Sequence, residues 1–183
     1  MTDIVGIAEK AAEIIAQHGT GDIWELLDRL GVITEIRPLG SAETGLKGYC
    51  TGFFDQFLVC VNEELPEYLR VLIAWHELGH IILDPDLLRN GQYIQEHDPL
   101  NMRTFTEKRA NYFAAAGSVD GAALCGLLRE GYALSQAAAI LRVPVSFAVY
   151  KSEILRASGE KLPALETPDA DCLGRSLIGI ENF

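Results

Sequence analysis

What the sequence has little of narrows its class first. Its four cysteines, Cys50, Cys60, Cys125 and Cys172, include no C-x-x-C pair, so neither a zinc ribbon nor a dithiol redox centre is encoded. At 183 residues the chain can bury a core without disulfide staples, and reduced, buried thiols in a cytosol are expected. Cys50 and Cys60 flank a short apolar stretch and are expected on adjacent strands. Positive charge is scarce: 15 Lys and Arg stand against 26 Asp and Glu, a formal net charge of −11. Such a field repels phosphate, so direct nucleic-acid binding is not expected unless folding gathers a basic patch. Every apolar run is interrupted by polar or charged residues, so no segment is expected to span a membrane. Met1 to Ala16 is amphipathic with an early acid, unlike a secretory signal, and a cytoplasmic protein is expected. No internal repeat is visible. The remaining composition, 49% hydrophobic and 22% charged, is that of an ordinary folded protein.

Periodicity then sketches the elements. Ile4, Ile7, Ala8, Ala11, Ile14 and Ile15 recur at helical spacing, and Gly19-Thr20-Gly21 ends that helix. Asp22 is placed to cap a second helix running to Leu30, closed by Gly31. Val32 to Leu39 reads as a strand, and Tyr49–Phe54 with Phe57–Val61 as a hairpin across Asp55-Gln56. A third helix is predicted from Glu64 to Leu83 with Pro66 in its first turn, ended by Asp84-Pro85. A polar loop follows to Arg103, long enough to be functional. A fourth helix runs from about Thr104 to Ala116, interrupted by Gly117-Ser118. Beyond Asp120 the pattern is helical throughout: Ala122–Arg129, Ser135–Leu141 and Ser146–Ala157, with an extended tail from Gly159.

Chemistry concentrates in the third helix. His76 and His80 are four residues apart, so both imidazoles lie on one helix face and can share one metal ion. Glu77 projects beside the pair, suited to reach a water rather than the metal. This H-E-x-x-H spacing is a fairly specific sign of a metal-dependent hydrolase. Gly79 inside the motif costs about 1 kcal/mol relative to alanine, which makes sense where another element approaches closely. A catalytic zinc site needs a third protein ligand. Glu107 is one candidate, on a helix whose Ala110 and Ala114 permit close packing. It also fits a capping box, Thr104-Phe105-Thr106-Glu107, in which it would bond its own backbone instead. His97, in the polar loop, is the rival ligand.

These motifs resemble those of the ImmA/IrrE group of metallopeptidases. The likeness lies in Leu58-Val59-Cys60-Val61-Asn62-Glu63-Glu64-Leu65, then Arg70 to Leu83 with His76-Glu77-Leu78-Gly79-His80. It resumes at Glu107-Lys108-Arg109-Ala110-Asn111-Tyr112-Phe113-Ala114-Ala115. It covers about a third of the chain, and two motifs in order are far more specific than one. The resemblance implies an α+β, zincin-like minimal metallopeptidase core, helices plus a small β-sheet, over residues 1–118, with a helical C-terminal region, 119–183, packed on it; one single domain is the alternative. It implies His76, His80 and Glu107 as metal ligands and Glu77 as general base. It further implies a protein substrate, a helix-turn-helix repressor of a phage or mobile element. The chain departs from the family at two places. Asp84 stands where a further histidine is common, and Ala116-Gly117-Ser118-Val119 replaces a Leu-Leu-Met-Pro-like run.

Three functions compete on this reading. The first is a zinc-dependent endopeptidase of narrow specificity, in which Tyr112 or His97 assists the developing oxyanion; the same ligands also accept manganese or iron. The second is a metal-binding anti-repressor that acts by protein contact alone. The third is a DNA-binding regulator, because Ser135–Pro144 followed by Ser146–Leu155 has a helix-turn-helix flavour. The acidic balance disfavours the third and instead suits a basic, DNA-binding protein as partner.

Overall fold

A computed structural model describes residues 3–53, 56–89, 93–96 and 105–163. The N-terminal helix α1 spans Ile4–His18 and ends where Gly19 adopts the left-handed conformation at φ 67°. Helix α2, Ile23–Arg29, starts at Asp22, whose carboxylate accepts from the backbone N–H of Trp24 and Glu25. Strands β1 (Ile33–Arg37), β2 (Gly48–Phe53) and β3 (Gln56–Asn62) follow, then α3 (Glu67–Leu83). A short helix α4 (Pro85–Arg89) and strand β4 (Tyr93–Glu96) lie within the segment expected to be an unstructured loop. The chain continues as α5 (Phe105–Ser118), α6 (Gly121–Arg129), α7 (Leu134–Ile140) and α8 (Val145–Ala157). The class is α+β, with a helical C-terminal region.

The sheet has the order β1-β3-β2-β4. β2 and β3 pair antiparallel, with Tyr49 opposite Cys60 and Cys50 opposite Val59. Cys50 and Cys60 thus occupy adjacent strands, as expected, but alternate side chains send them to opposite faces of the sheet. β1 runs parallel to β3, and β4 antiparallel to β2.

Three expectations are corrected. α3 begins at Glu67 rather than Glu64, with extended Pro66 (ψ 151°) as its N-cap. The delay is caused by Asn62, fully buried at the end of β3. Its amide oxygen accepts from the N–H of Leu39 (3.2 Å) and Glu64 (3.1 Å), and its NH₂ donates to the carbonyls of Gly40 and Leu46 (2.9 Å each). The turn before α3 and the loop after β1 are tied to one side chain. Second, Pro85 opens α4 instead of merely ending α3, as a proline in the first turn of a helix can. Third, α5 passes through Gly117, whose missing side chain leaves room for the Trp75 ring; a Cβ there would lie 2.5 Å from it.

α3 is the centre of the molecule. Every residue from Leu72 to Ile81 is buried, because β2 and β3 cover one side and α5 another. Trp75 meets Phe113 with ring centroids 6.1 Å apart. α1 and α8 pack on α5 in turn. The apolar core joins Ile7, Leu78, Phe113, Phe147 and Ile154 in one cluster. Burial of some thirty such side chains in that cluster, at about 1.5–3 kcal/mol for each large one, is what offsets the loss of chain entropy.

Candidate metal centre

The histidine spacing does in space what it promised. His76 and His80 are both fully buried, and their Nε2 atoms face each other at 3.0 Å. From α5, Glu107 Oε2 comes to 3.2 Å from His76 Nε2 and 3.5 Å from His80 Nε2. The capping-box partner Thr104 and the rival ligand His97 lie outside the described residues. Glu107 places its carboxylate on the two imidazoles.

The approach of α5 depends on Gly79. A Cβ there would stand 3.1 Å from the Ala110 Cα and 3.2 Å from the Phe113 Cβ. These are backbone and Cβ atoms that cannot swing aside, so a side chain at 79 would require α5 to move outward by a few tenths of an ångström. The two helix ends are clamped by Arg109, which donates to Asp84 Oδ1 at 2.6 Å and to the Leu83 carbonyl at 3.2 Å. Asp84, one of the departures from the family pattern, is therefore half of an ion pair that joins α3 to α5.

Whether a metal fits can be tested on distances. Ligand atoms arranged tetrahedrally at about 2.1 Å from one ion are about 3.4 Å apart. The three observed separations, 3.0, 3.2 and 3.5 Å, bracket that value. His76, His80 and Glu107 form a group able to hold one ion. Burial pushes the His80 imidazole below its usual pKa, against the pull of Glu107. The neutral ring keeps a lone pair for a metal. On His76 the tautomer follows from its neighbour: Nδ1 lies 2.9 Å from Asn111 Oδ1. An amide oxygen only accepts, so Nδ1 carries the proton and Nε2 is left as the donor to a cation.

Glu77 is fully buried beside this group. Its carboxylate lies against β2, where a Cβ on Gly48 would be 3.3 Å from Glu77 Oε1. Two residues along the same strand face, Cys50 is fully buried. Burial first, and then the charge of Glu77, push the Cys50 thiol well above its ordinary range. It remains S–H, a donor rather than a nucleophile.

Tyr112 is not brought to this cluster. It is buried on the far side of α5, with its hydroxyl donating to Glu153 of α8 and its ring against Tyr150. Sequence reasoning left Cys50 as an inert buried thiol and assigned no role to Asn111. The second was legible: Asn111 is four residues from Glu107, hence on the same helix face.

The match to known proteins agrees with this geometry. Residues 27–153 match the family model of the IrrE N-terminal-like domain. The chain belongs to the ImmA/IrrE family of metallopeptidases. Metallopeptidase ImmA of Bacillus subtilis (strain 168) is 36% identical over 78 residues, 43% of this chain and 44% of that protein. The similarity thus spans less than half of that relative. Among the described residues, no helix is long and apolar enough to cross a membrane.

Proposed function

We propose that this ImmA/IrrE family member is a zinc-dependent endopeptidase that cuts one regulatory protein, a helix-turn-helix repressor of a phage or mobile element, in the cytoplasm. The observation that carries the reading is the convergence of His76, His80 and Glu107 with a buried carboxylate, Glu77, on the next position of the same helix. A structural zinc site has no use for that carboxylate; a hydrolytic one does.

A zinc ion held by His76, His80 and Glu107 supplies Lewis acidity, polarising a peptide carbonyl and bringing water to a pKa of about 7. Asn111 keeps His76 in the tautomer that presents Nε2. Glu77 takes a proton from the attacking water onto a carboxylate oxygen and returns it to the departing amine. Glu77 is fully buried with its carboxylate packed against β2 at Gly48, which shields it from bulk solvent. The substrate class is supported by the family and by charge: a net charge of −11 favours encounter with a basic, DNA-binding partner.

The DNA-binding alternative meets a steric obstacle. Phe147, Ala148, Tyr150 and Ile154 of α8 are buried, and α8 packs against α1, α5, α6 and α7. Most of the helix that would enter a groove is already covered.

The experiment is incubation of the repressor encoded nearest this gene with wild-type protein and Glu77→Gln, with zinc content measured on both. Cleavage by the wild type alone, at equal metal content, is expected. Full relief of repression by Glu77→Gln would replace proteolysis with inactivation by contact.

A further inference from the structure

Glu107 does its work from a demanding place. It stands in the first turn of α5, where backbone N–H groups have no partner within the helix and fraying begins. Yet its Oε2 lies 3.2 Å and 3.5 Å from two ring nitrogens of α3 that are fully buried. The Gly79 contact alone does not fix this arrangement. It sets the separation of the helices at Ala110 and Phe113, but a helix touched along one line can still roll about its axis. Metal–ligand distances are held within about 0.2 Å, so a small roll of α5 is enough to lift a carboxylate off the site.

Arg109 supplies a second constraint. It is two residues past Glu107, and the helical repeat sends the two side chains to nearly opposite sides of α5. Its guanidinium donates to Asp84 Oδ1 at 2.6 Å and to the Leu83 carbonyl at 3.2 Å. The same group lies over the ring of Phe105, 5.5 Å from its centroid. Phe105 is the first residue of α5 and Leu83 the last of α3. One planar group therefore ties the opening of one helix to the close of the other. The side chains of Arg109 and Asp84 are only 24% and 11% exposed, so solvent screens this pair less than it screens a surface ion pair. Glu107 lies between Phe105 and Arg109 in sequence, inside the turn that the clamp holds.

We propose that Arg109 is the positioning residue for Glu107: through Asp84, Leu83 and Phe105 it fixes the first turn of α5, so that the Glu107 carboxylate falls on His76 and His80. A lysine at 109 would carry the same charge but neither the fork that makes two bonds nor the flat face that stacks. The inference rests on Glu107 being a metal ligand, the reading given above.

The test is zinc affinity by competition with chelators of graded strength, with circular dichroism confirming the fold of each protein. Wild type, Arg109→Lys, Glu107→Ala and the double variant are compared. Groups that orient a ligand are worth about 10- to 100-fold in affinity, and Arg109→Lys should lose about tenfold. Once Glu107 is gone there is no carboxylate left to place, so the same substitution should then change affinity less than about threefold. Equal losses in both backgrounds would reveal a general loosening of the fold, and no loss in either a clamp without effect; each would overturn the proposal. Asp84→Ala breaks the clamp from its other side, which keeps the comparison open should Arg109→Lys not fold. It too should lose about tenfold with Glu107 present and less than about threefold without it. Hydrogen exchange by mass spectrometry on metal-free wild type and Arg109→Lys needs no zinc. Peptides covering 105–111 should exchange about tenfold faster in the variant, with those covering α1 unchanged. Equal rates over 105–111 defeat the proposal. If wild type binds no zinc, the metal reading fails while the exchange rates still decide whether Arg109 holds the turn.

Discussion

Gly79 of α3 faces Ala110 of α5 so closely that a methyl group at 79 would lie 3.1 Å from the Ala110 Cα. Alanine is the better helix former by about 1 kcal/mol, so propensity alone predicts that Gly79→Ala stabilises. The contact predicts the reverse. Overpacking against backbone costs about 1–3 kcal/mol, and moving α5 outward carries Glu107 off the histidines. Thermal melting should show a lower Tm, and zinc titration a weaker site. A raised Tm with unchanged affinity would mean that the helices do not need their spacing.

Glu107→Ala removes the one proposed ligand that lies outside α3. Because groups that merely orient ligands cost about 10- to 100-fold, loss of the ligand itself should cost more than about a hundredfold in zinc affinity. The fold should persist, since Glu107 is partly exposed (16%) and not part of the apolar cluster. Circular dichroism together with chelator competition separates the two effects. Retained affinity would return Glu107 to a helix-capping role.

Cys50 is buried on the strand face against which the proposed general base packs; if its thiol serves that carboxylate as a donor, its replacements should sort by donor capacity. Cys50→Ser keeps a donor and should hold kcat near the wild-type value. Cys50→Ala should lower kcat by about tenfold, the scale of one hydrogen bond to a charged group, with KM little changed. The measurement is a kinetic comparison on one cleavable peptide at equal zinc content. Equal kcat for both variants would show that Glu77 is held without the thiol.

Burial raises the Tyr150 hydroxyl from its ordinary pKa of 10.0 to about 12. A folded-state pKa above the unfolded one favours the protonated form. The stabilisation is present below pH 10.0 and is lost as pH rises towards about 12. At about 1.4 kcal/mol per pKa unit, the share is about 2–3 kcal/mol. Tyr150→Phe should therefore flatten the loss of stability between those pH values in urea melts. A slope identical to the wild type would show that Tyr150 ionises freely in the folded chain.

The parts of the site that sequence revealed are those governed by helical spacing. His76 and His80 are one turn apart, Glu107 and Asn111 are another such pair, and Gly79 announces a close neighbour by its local cost. Tyr112 was singled out for its hydroxyl, yet it is five residues from Glu107, about 140° around a helix. The angle turns it to α8 and Glu153. β4 and the packing of Glu77 against β2 had no local signal, because strand pairing and face-to-face packing are decided by distant residues. The Asp22 cap was legible, since its partners lie two and three residues away.

The burial of α8 against α5 has a consequence for how the protein is made. Both histidines and Glu107 leave the ribosome well before Val145–Ala157. A nascent chain thus possesses its proposed metal ligands before it possesses the helix that packs behind α5. On the proposed function, hydrolytic competence is deferred until α8 has been synthesised and packed against α5.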